Sequence, residues 1–485
     1  MPLKPVAQPG YDPADLTVGI VHFGVGNFHR SHQALYLDKL FTLGEALDWA
    51  ICGVGVLPQD ARMRDALRSQ NMRYALVERH PDGQAHARNI ASIIDFLLAT
   101  EDAEAVLEKL ADPAVRIVSL TITEGGYNID EATGGFDLAN PSVAADLRPG
   151  AVPATVFGLV VEGLRRRRDR GIPPFTVMSC DNLQGNGHVA RGSFLAFASA
   201  KDADLAAWID AEVAFPNSMV DRITPVTGPE ERAFVAETYG VDDAWPVVAE
   251  DFTQWVLEDR FTAGRPPYEN VGVQIVDDVV PYEKMKLRLL NASHQAIAYV
   301  GYLSGHRFAH EAATDPLIAA FVTRFMRDEA EPTLGRVPGV NLAVYEAGLI
   351  ERFANPYVRD TLLRLATDGS DRIAKFVLPI IRDGIAAGSP MPLSAAIAAS
   401  WAVFASGVDE QGAPIVVADR QSAIVADALD RASGDPAVLA TDARLFADLA
   451  VEPAFIEAFA RAYRAIRNDG AQQALAAIDA PLHRP

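Results

Sequence analysis

Short β-rich runs alternate with helical patterns through the first part of this chain, and that alternation constrains its fold more than any other feature. The runs lie at Thr17–Phe23, Ala50–Val56, Tyr74–Val77, Arg116–Ile122 and Phe175–Met178, with helical patterns between several of them at Ser31–Leu43, Pro58–Gln70 and Asp102–Leu110. Strands separated by helices need crossover connections, which build a parallel, doubly wound sheet. A further apolar run, Val271–Val280, reads as a strand leading out of this region. After Pro281 the pattern is helical and alanine-rich, as at Met285–Leu303, Asp315–Glu329, Val358–Leu365 and Ser394–Ser406. The expectation is an α/β sheet domain over 1–280, followed by a mainly α-helical domain over 281–485.

Composition narrows the function classes. The 485 residues carry 43 Lys plus Arg and 64 Asp plus Glu, a formal charge of −21. Such a field repels nucleic acid and anionic membrane. Two cysteines, Cys52 and Cys180, exclude a disulfide framework and a Cys-based structural zinc site. Met1–Asp15 carries Pro, Gly and acids where a secretory signal needs an apolar stretch. Leu393–Val408 is shorter than the roughly 20 residues of a membrane span and reads as a buried helix. A cytoplasmic protein is expected. Arg165–Arg168 and Arg170 close a helix that begins near Ala154, where cations complement the helix dipole.

The first strand runs into Phe23-Gly24-Val25-Gly26-Asn27-Phe28-His29-Arg30. Gly-x-Gly between a strand and a helix begins the dinucleotide fingerprint, because the glycines permit a tight turn and a close approach of backbone N–H groups to a pyrophosphate. His29 stands where the third glycine would be. This makes the first domain Rossmann-like. The second strand should end beside the adenosine ribose, where an acid accepts from hydroxyls and repels a 2′-phosphate. Asp60 is the nearest candidate. His22, His29 and His32 have no carboxylate or Cys in the loop to complete a metal set, so no metal is expected.

A second cluster lies in Tyr282-Glu283-Lys284-Met285-Lys286-Leu287-Arg288-Leu289-Leu290-Asn291-Ala292-Ser293-His294. On a regular helix at about 100° per residue, Asn291 lies about 140° and His294 about 80° from Lys286. A lysine, an amide and an imidazole then share one arc, which suits a general base, an oxyanion donor and an orienting group. The same pattern also fits an amphipathic helix with solvated cations. A third polar group, Ser179-Cys180-Asp181-Asn182, follows a strand, where open α/β sheets place their sites.

These pieces together resemble the mannitol dehydrogenase family of polyol-specific long-chain dehydrogenases and reductases. The matching segments are Gly24–Arg30 with His32, Leu120–Tyr127, Ser179–Asn182, Thr253–Trp255, and Lys286, Asn291 and His294 at their spacing. The resemblance implies oxidation of a sugar alcohol to a ketose without metal, with hydride passing to NAD. It implies that Lys286 is the base, that Asn182 and Asn291 hold the substrate oxygen, that His294 positions the lysine, and that Glu283 passes the proton on. It implies substrate contacts at Asp221, Arg364 and Arg372, the last an arginine where the family often has lysine. For the cofactor it implies Gly24, Gly26, Asn27, Phe28, Asp60 and Glu124, with Asp60 favouring NAD.

The implied partner is a small polyol or ketose such as D-mannitol and D-fructose, D-arabinitol or D-sorbitol. Nucleic acid and membrane are excluded as partners, and a monomer is compatible with the helical second domain. The alternative within the family is a hexuronate reductase acting on fructuronate or tagaturonate. Outside it, a non-catalytic NAD-binding module would be expected to lack Lys286 or an asparagine.

Overall fold

The computed structural model describes residues 2–130 and 134–479. The chain divides into two compact units, Met1–Val280 and Pro281–Pro485.

Five parallel strands form the main sheet of the first unit: β1 (Val18–Phe23), β2 (Ala50–Gly55), β3 (Ile93–Leu98), β4 (Ile117–Leu120) and β5 (Thr176–Ser179). Their order is β3-β2-β1-β4-β5, with Val21 opposite Cys52 on one side and Val118 on the other. This is the doubly wound order with its switch point beside β1. Neighbouring side chains on β1 enter two different apolar layers: Ile20 joins Leu35, Leu37 and Ile117, while Val21 and Phe23 join Val106, Leu110 and Leu164. Burial on both faces explains why these strands read as continuous apolar runs. Each fully buried Ile, Val or Phe of β1 contributes roughly 1.5–3 kcal/mol.

Two smaller sheets complete the unit. The hairpin Tyr74–Arg79 and Ala85–Ile90 pairs with Val247–Glu250 and the short strand Val6–Ala7. Ser218–Asp221 runs antiparallel to Gln254–Glu258, which pairs in parallel with Gln274–Val276. The expected strand over Val271–Val280 is therefore a correction. Only Gln274–Val276 is extended, after a 3-10 turn at Tyr268–Val271 and before a helix that starts at Val280.

The arginine cluster closes its helix as expected. Val156–Arg170 is a helix capped by Thr155 and ended by Gly171 at φ +67°. Its cations do more than face solvent at a dipole. Arg166 pairs with Glu104 and Glu108, and Arg170 with Glu108, on the neighbouring helix Ala103–Ala111. Arg167 is buried and donates to the carbonyls of Pro173, Leu110 and Asp112.

The second unit is helical. Its central pair, Ala292–Leu303 and Pro392–Ala405, is almost wholly buried, and the latter packs on Pro453–Asp469. Alanine and serine on both central helices let the backbones approach. Gly301 illustrates the tightness, since a Cβ there would lie 2.7 Å from that of Ala312. Among the described residues no helix is long and apolar enough to cross a membrane. The helix expected over Val358–Leu365 begins only at Leu362, after the Thr361 cap.

The largest correction concerns Lys286–His294. Val280–Met285 is α-helical, but Lys286–Asn291 is a π-helical turn, and α-helix resumes at Ala292. An i→i+5 turn stacks residues five apart far more closely than a regular helix does. Lys286 and Asn291 are therefore nearer in angle than regular spacing predicts.

Candidate active site

Parallel strands put their carboxyl ends on one edge of a sheet. In the first unit that edge carries Gly24 and Gly26 after β1, Asp60 after β2, Glu124 after β4, and Asn182 after β5. Gly24 has φ +93°, and a Cβ on it would lie 2.0 Å from the carbonyl oxygen of Thr121. Only glycine fits this turn. Gly26 is different: within 4 Å of its ideal Cβ there is only the Gly24 oxygen at 3.8 Å, so space lies over it. The helix Asn27–Ser31 starts directly after, with the first N–H groups lacking helical acceptors. A tight glycine turn, open space and free N–H groups fit a pyrophosphate.

The side chains after the glycines are already engaged. Asn27 Nδ2 donates to the Pro225 carbonyl and Thr227 Oγ1, both at 2.9 Å, and its Oδ1 accepts from Arg30 at 2.8 Å. Phe28 stacks on His32 with centroids 4.8 Å apart. His29, in the third-glycine position, is fully buried and stacks on His22 at 3.4 Å. His22 lies between Ser119 Oγ at 2.8 Å and Thr121 Oγ1 at 3.0 Å, and burial pushes it down to about 3. His22 bonds to the two hydroxyls and His32 Nε2 to the Gln254 carbonyl at 3.0 Å, while His29 is stacked with neither ring nitrogen hydrogen-bonded among the described residues.

Asp60 closes the 3-10 turn after β2, and its Oδ2 accepts from the N–H groups of Val56 and Leu57 at 2.9 Å each. The carboxylate is thereby fixed at the strand tip. Glu124 is exposed in the loop after β4. That loop is held by Asp181, which accepts from Thr123 N at 2.7 Å, Ile122 N at 3.2 Å and Tyr127 Oη at 2.8 Å. Desolvation raises the Asp181 carboxyl to about 6 despite these donors. Sequence reasoning missed this residue, although it stands inside the Ser179–Asn182 motif beside the asparagine that was singled out. Asn182 is exposed just beyond it. Asp221 is buried at the end of its strand, opposite Gln254.

In the second unit, Glu283, Lys286, Asn291 and His294 are all more than nine-tenths buried along one continuous helical run. The solvated-cation alternative is excluded for Lys286. Arg288 is buried too, donating to the Thr333 carbonyl at 3.1 Å and to Asp383 at 2.6 Å. The Asn291 Oδ1 has no hydrogen-bond partner among the described residues. The His294 ring lies 4.7 Å from that of Phe353, tilted by 48°. Phe353 was also absent from the sequence reading, and nothing in the sequence marks it.

Arg364 and Arg372 are placed differently. Arg364 grips the Asp360 carboxylate with Nε and Nη2, a pair that raises its affinity for its proton. The Arg372 guanidinium makes no hydrogen bond or ion pair among the described residues. Between the two, Ser370 donates from N and Oγ to Asp419, at 2.8 and 2.6 Å.

The comparisons agree with this layout. The sequence model of the mannitol dehydrogenase Rossmann domain matches residues 18–270, and that of the mannitol dehydrogenase C-terminal domain matches 278–467. A mannitol 2-dehydrogenase of Cereibacter sphaeroides is 46% identical over 97% of this chain and 98% of its own. One of Neosartorya fischeri is 45% identical over 94% and 92%. The solved Pseudomonas fluorescens mannitol 2-dehydrogenase, a ternary complex with NAD and D-mannitol, superposes with a TM-score of 0.87 at 45% identity, covering 98% of this chain and 96% of that one. A D-sorbitol dehydrogenase in substrate-free form gives 0.86 at 40% identity, covering 97% of each. Two domain matches that together span most of the chain, and relatives this close along their whole length, place the chain in the mannitol dehydrogenase family.

Proposed function

We propose that this chain is an NAD-dependent, metal-independent polyol dehydrogenase that oxidises D-mannitol, or a close analogue such as D-sorbitol or D-arabinitol, to the ketose. The observation that carries the reading is Lys286, buried on a π turn one turn from Asn291, in a chain so similar to a protein solved with NAD and D-mannitol. The hexuronate alternative has no support among the relatives above, which are polyol dehydrogenases by name.

NAD, when bound, supplies the hydride acceptor. Lys286 Nζ takes the hydroxyl proton, a role that needs the neutral amine, and desolvation favours that form. Asn182 and Asn291 donate amide N–H groups to the oxygen as negative charge develops on it. One such donor is worth about 10²–10³ in rate. His294, braced by Phe353, orients the base. Glu283, one turn before Lys286, carries the proton onward. Asp221 accepts from polyol hydroxyls, and Arg364 and Arg372 donate to them. Gly24 and Gly26 shape the turn that the pyrophosphate approaches, Asn27 and Phe28 present backbone N–H groups to it, Asp60 accepts from the ribose, and Glu124 belongs to the same cofactor edge. A cytoplasmic, monomeric enzyme that meets only small molecules completes the proposal.

Initial rates of NADH formation against D-mannitol, D-sorbitol, D-arabinitol and D-mannonate, with a chelator present, test it. Turnover of a neutral polyol is expected. Turnover of D-mannonate alone would overturn the polyol assignment.

A further inference from the structure

The segment after Asp221 is held from two sides. Arg222 donates to the Glu250 carbonyl and to Glu78, and Ile223 N donates to Glu250 Oε1 while its carbonyl accepts from Glu250 N, which ties the start of the segment to the strand Val247–Glu250; the rest meets the dinucleotide helix. Residues 222–228 contain no helix or strand. Asn27 Nδ2 binds the Pro225 carbonyl and Thr227 Oγ1. Ser31 Oγ meets Thr224 Oγ1 at 2.8 Å, and Arg222 Nη1 donates to the Ser31 carbonyl at 2.6 Å. Thr227 Oγ1 in turn donates to the Pro246 carbonyl at 2.6 Å. Arg30 donates to Asn27 Oδ1, and because guanidinium is donor-only this fixes which end of the amide faces the segment. The Asn27 amide nitrogen is thus engaged twice by this segment, and its oxygen by Arg30.

We propose that the Asn27 side chain is a latch, a positioning residue that couples cofactor binding at the Gly24–Gly26 turn to the ordering of Asp221, rather than a ligand of the dinucleotide. The proposal rests on the NAD and polyol reading above and deepens it. Ordering of the first helical turn by a bound pyrophosphate passes through Asn27 to 225–227, and so fixes the substrate-side aspartate before the polyol arrives. Residues 224–227, beyond the anchored Arg222 and Ile223, have no ladder bonds and lean on Asn27, Ser31 and the Pro246 carbonyl.

Amide hydrogen exchange on the whole chain with and without NADH tests the latch without any turnover. In the wild type, NADH is expected to slow exchange over 221–228. In Asn27→Ala, NADH should still bind with a Kd within about threefold of wild type, while the added protection of 221–228 disappears and the polyol KM rises about fivefold or more. Thr227→Val should reproduce the loss with Asn27 intact, and Thr227→Ser should restore protection, which a merely structural lesion would not allow. A tenfold or greater loss of NADH affinity in Asn27→Ala, with protection recovered at saturation, would overturn the latch and make Asn27 a cofactor ligand. Unchanged protection in Asn27→Ala would overturn it as well. Failure of the wild type to oxidise polyols while NADH still protects 221–228 would sink the function reading and leave the latch standing. Failure of the wild type to bind NADH would sink both.

Discussion

Single residues set the chemistry on this scaffold. Asp181 shows how. Its carboxylate serves three donors of the loop over 122–127, yet burial raises it to about 6. Above that value the group is ionised and all three bonds stand. Below it, one oxygen becomes a donor and one bond is lost. NADH affinity is therefore expected to fall about three- to tenfold between about pH 7 and pH 5, the equivalent of one modest hydrogen bond. Asp181→Asn should show the weaker affinity throughout, without a break near pH 6, by fluorescence titration. The stability sign is opposite. A folded value above the ordinary 3.8 means this group removes stability as pH rises from about 4 to about 6. At Gly24 a methyl group meets both a positive φ and the Thr121 carbonyl. Gly24→Ala should abolish NADH binding, and retained binding would show that the turn can relax. Asn291→Ala should lower kcat about 10²–10³-fold, with NADH affinity unchanged.

At the scale of elements, the strands of the main sheet were legible because burial on both faces leaves a largely apolar run, as in Ala50–Val56. The hairpin at Tyr74–Ile90 was half visible, since Ala85–Ile90 carries His86, Arg88 and Asn89 and breaks the apolar pattern. The π turn at Lys286–Asn291 was illegible. Leu287, Leu289 and Leu290 suit either helix type, and only packing decides. That turn meets two others, Phe325–Ala330 and Ile373–Val377. The first of these supplies Glu329, whose buried carboxylate accepts from Leu393 N, Ser394 N and Ser394 Oγ at 2.8, 2.7 and 2.5 Å and so caps the buried helix Pro392–Ala405. Glu329→Ala leaves those groups without an acceptor and should cost about 1–3 kcal/mol in denaturant unfolding. An unchanged midpoint would remove the capping role.

For the whole molecule, the two compact units divide the candidate residues: the glycine turn, Asp60, Asn182 and Asp221 in one, and the lysine run with the two arginines in the other. The division was readable near residue 280 from the change in pattern alone. The lysine run was not readable as buried from spacing alone, because a buried lysine and a solvated cation share one periodicity. The family segments separated the two. What sequence could not supply was the use of each polar group. Asn27 turned out to be tied to 225–227, and Arg364 to Asp360, because long-range partners leave no local signature.

The central claim is that a buried lysine, without metal, takes the proton from the polyol. NADH formation from D-mannitol in the presence of a chelator, measured side by side for the wild type and Lys286→Ala with NADH binding checked in both, tests it most directly. The account predicts turnover by the wild type and none by a variant that still binds NADH. Equal turnover by the two proteins, or loss of wild-type turnover on chelation, would contradict it.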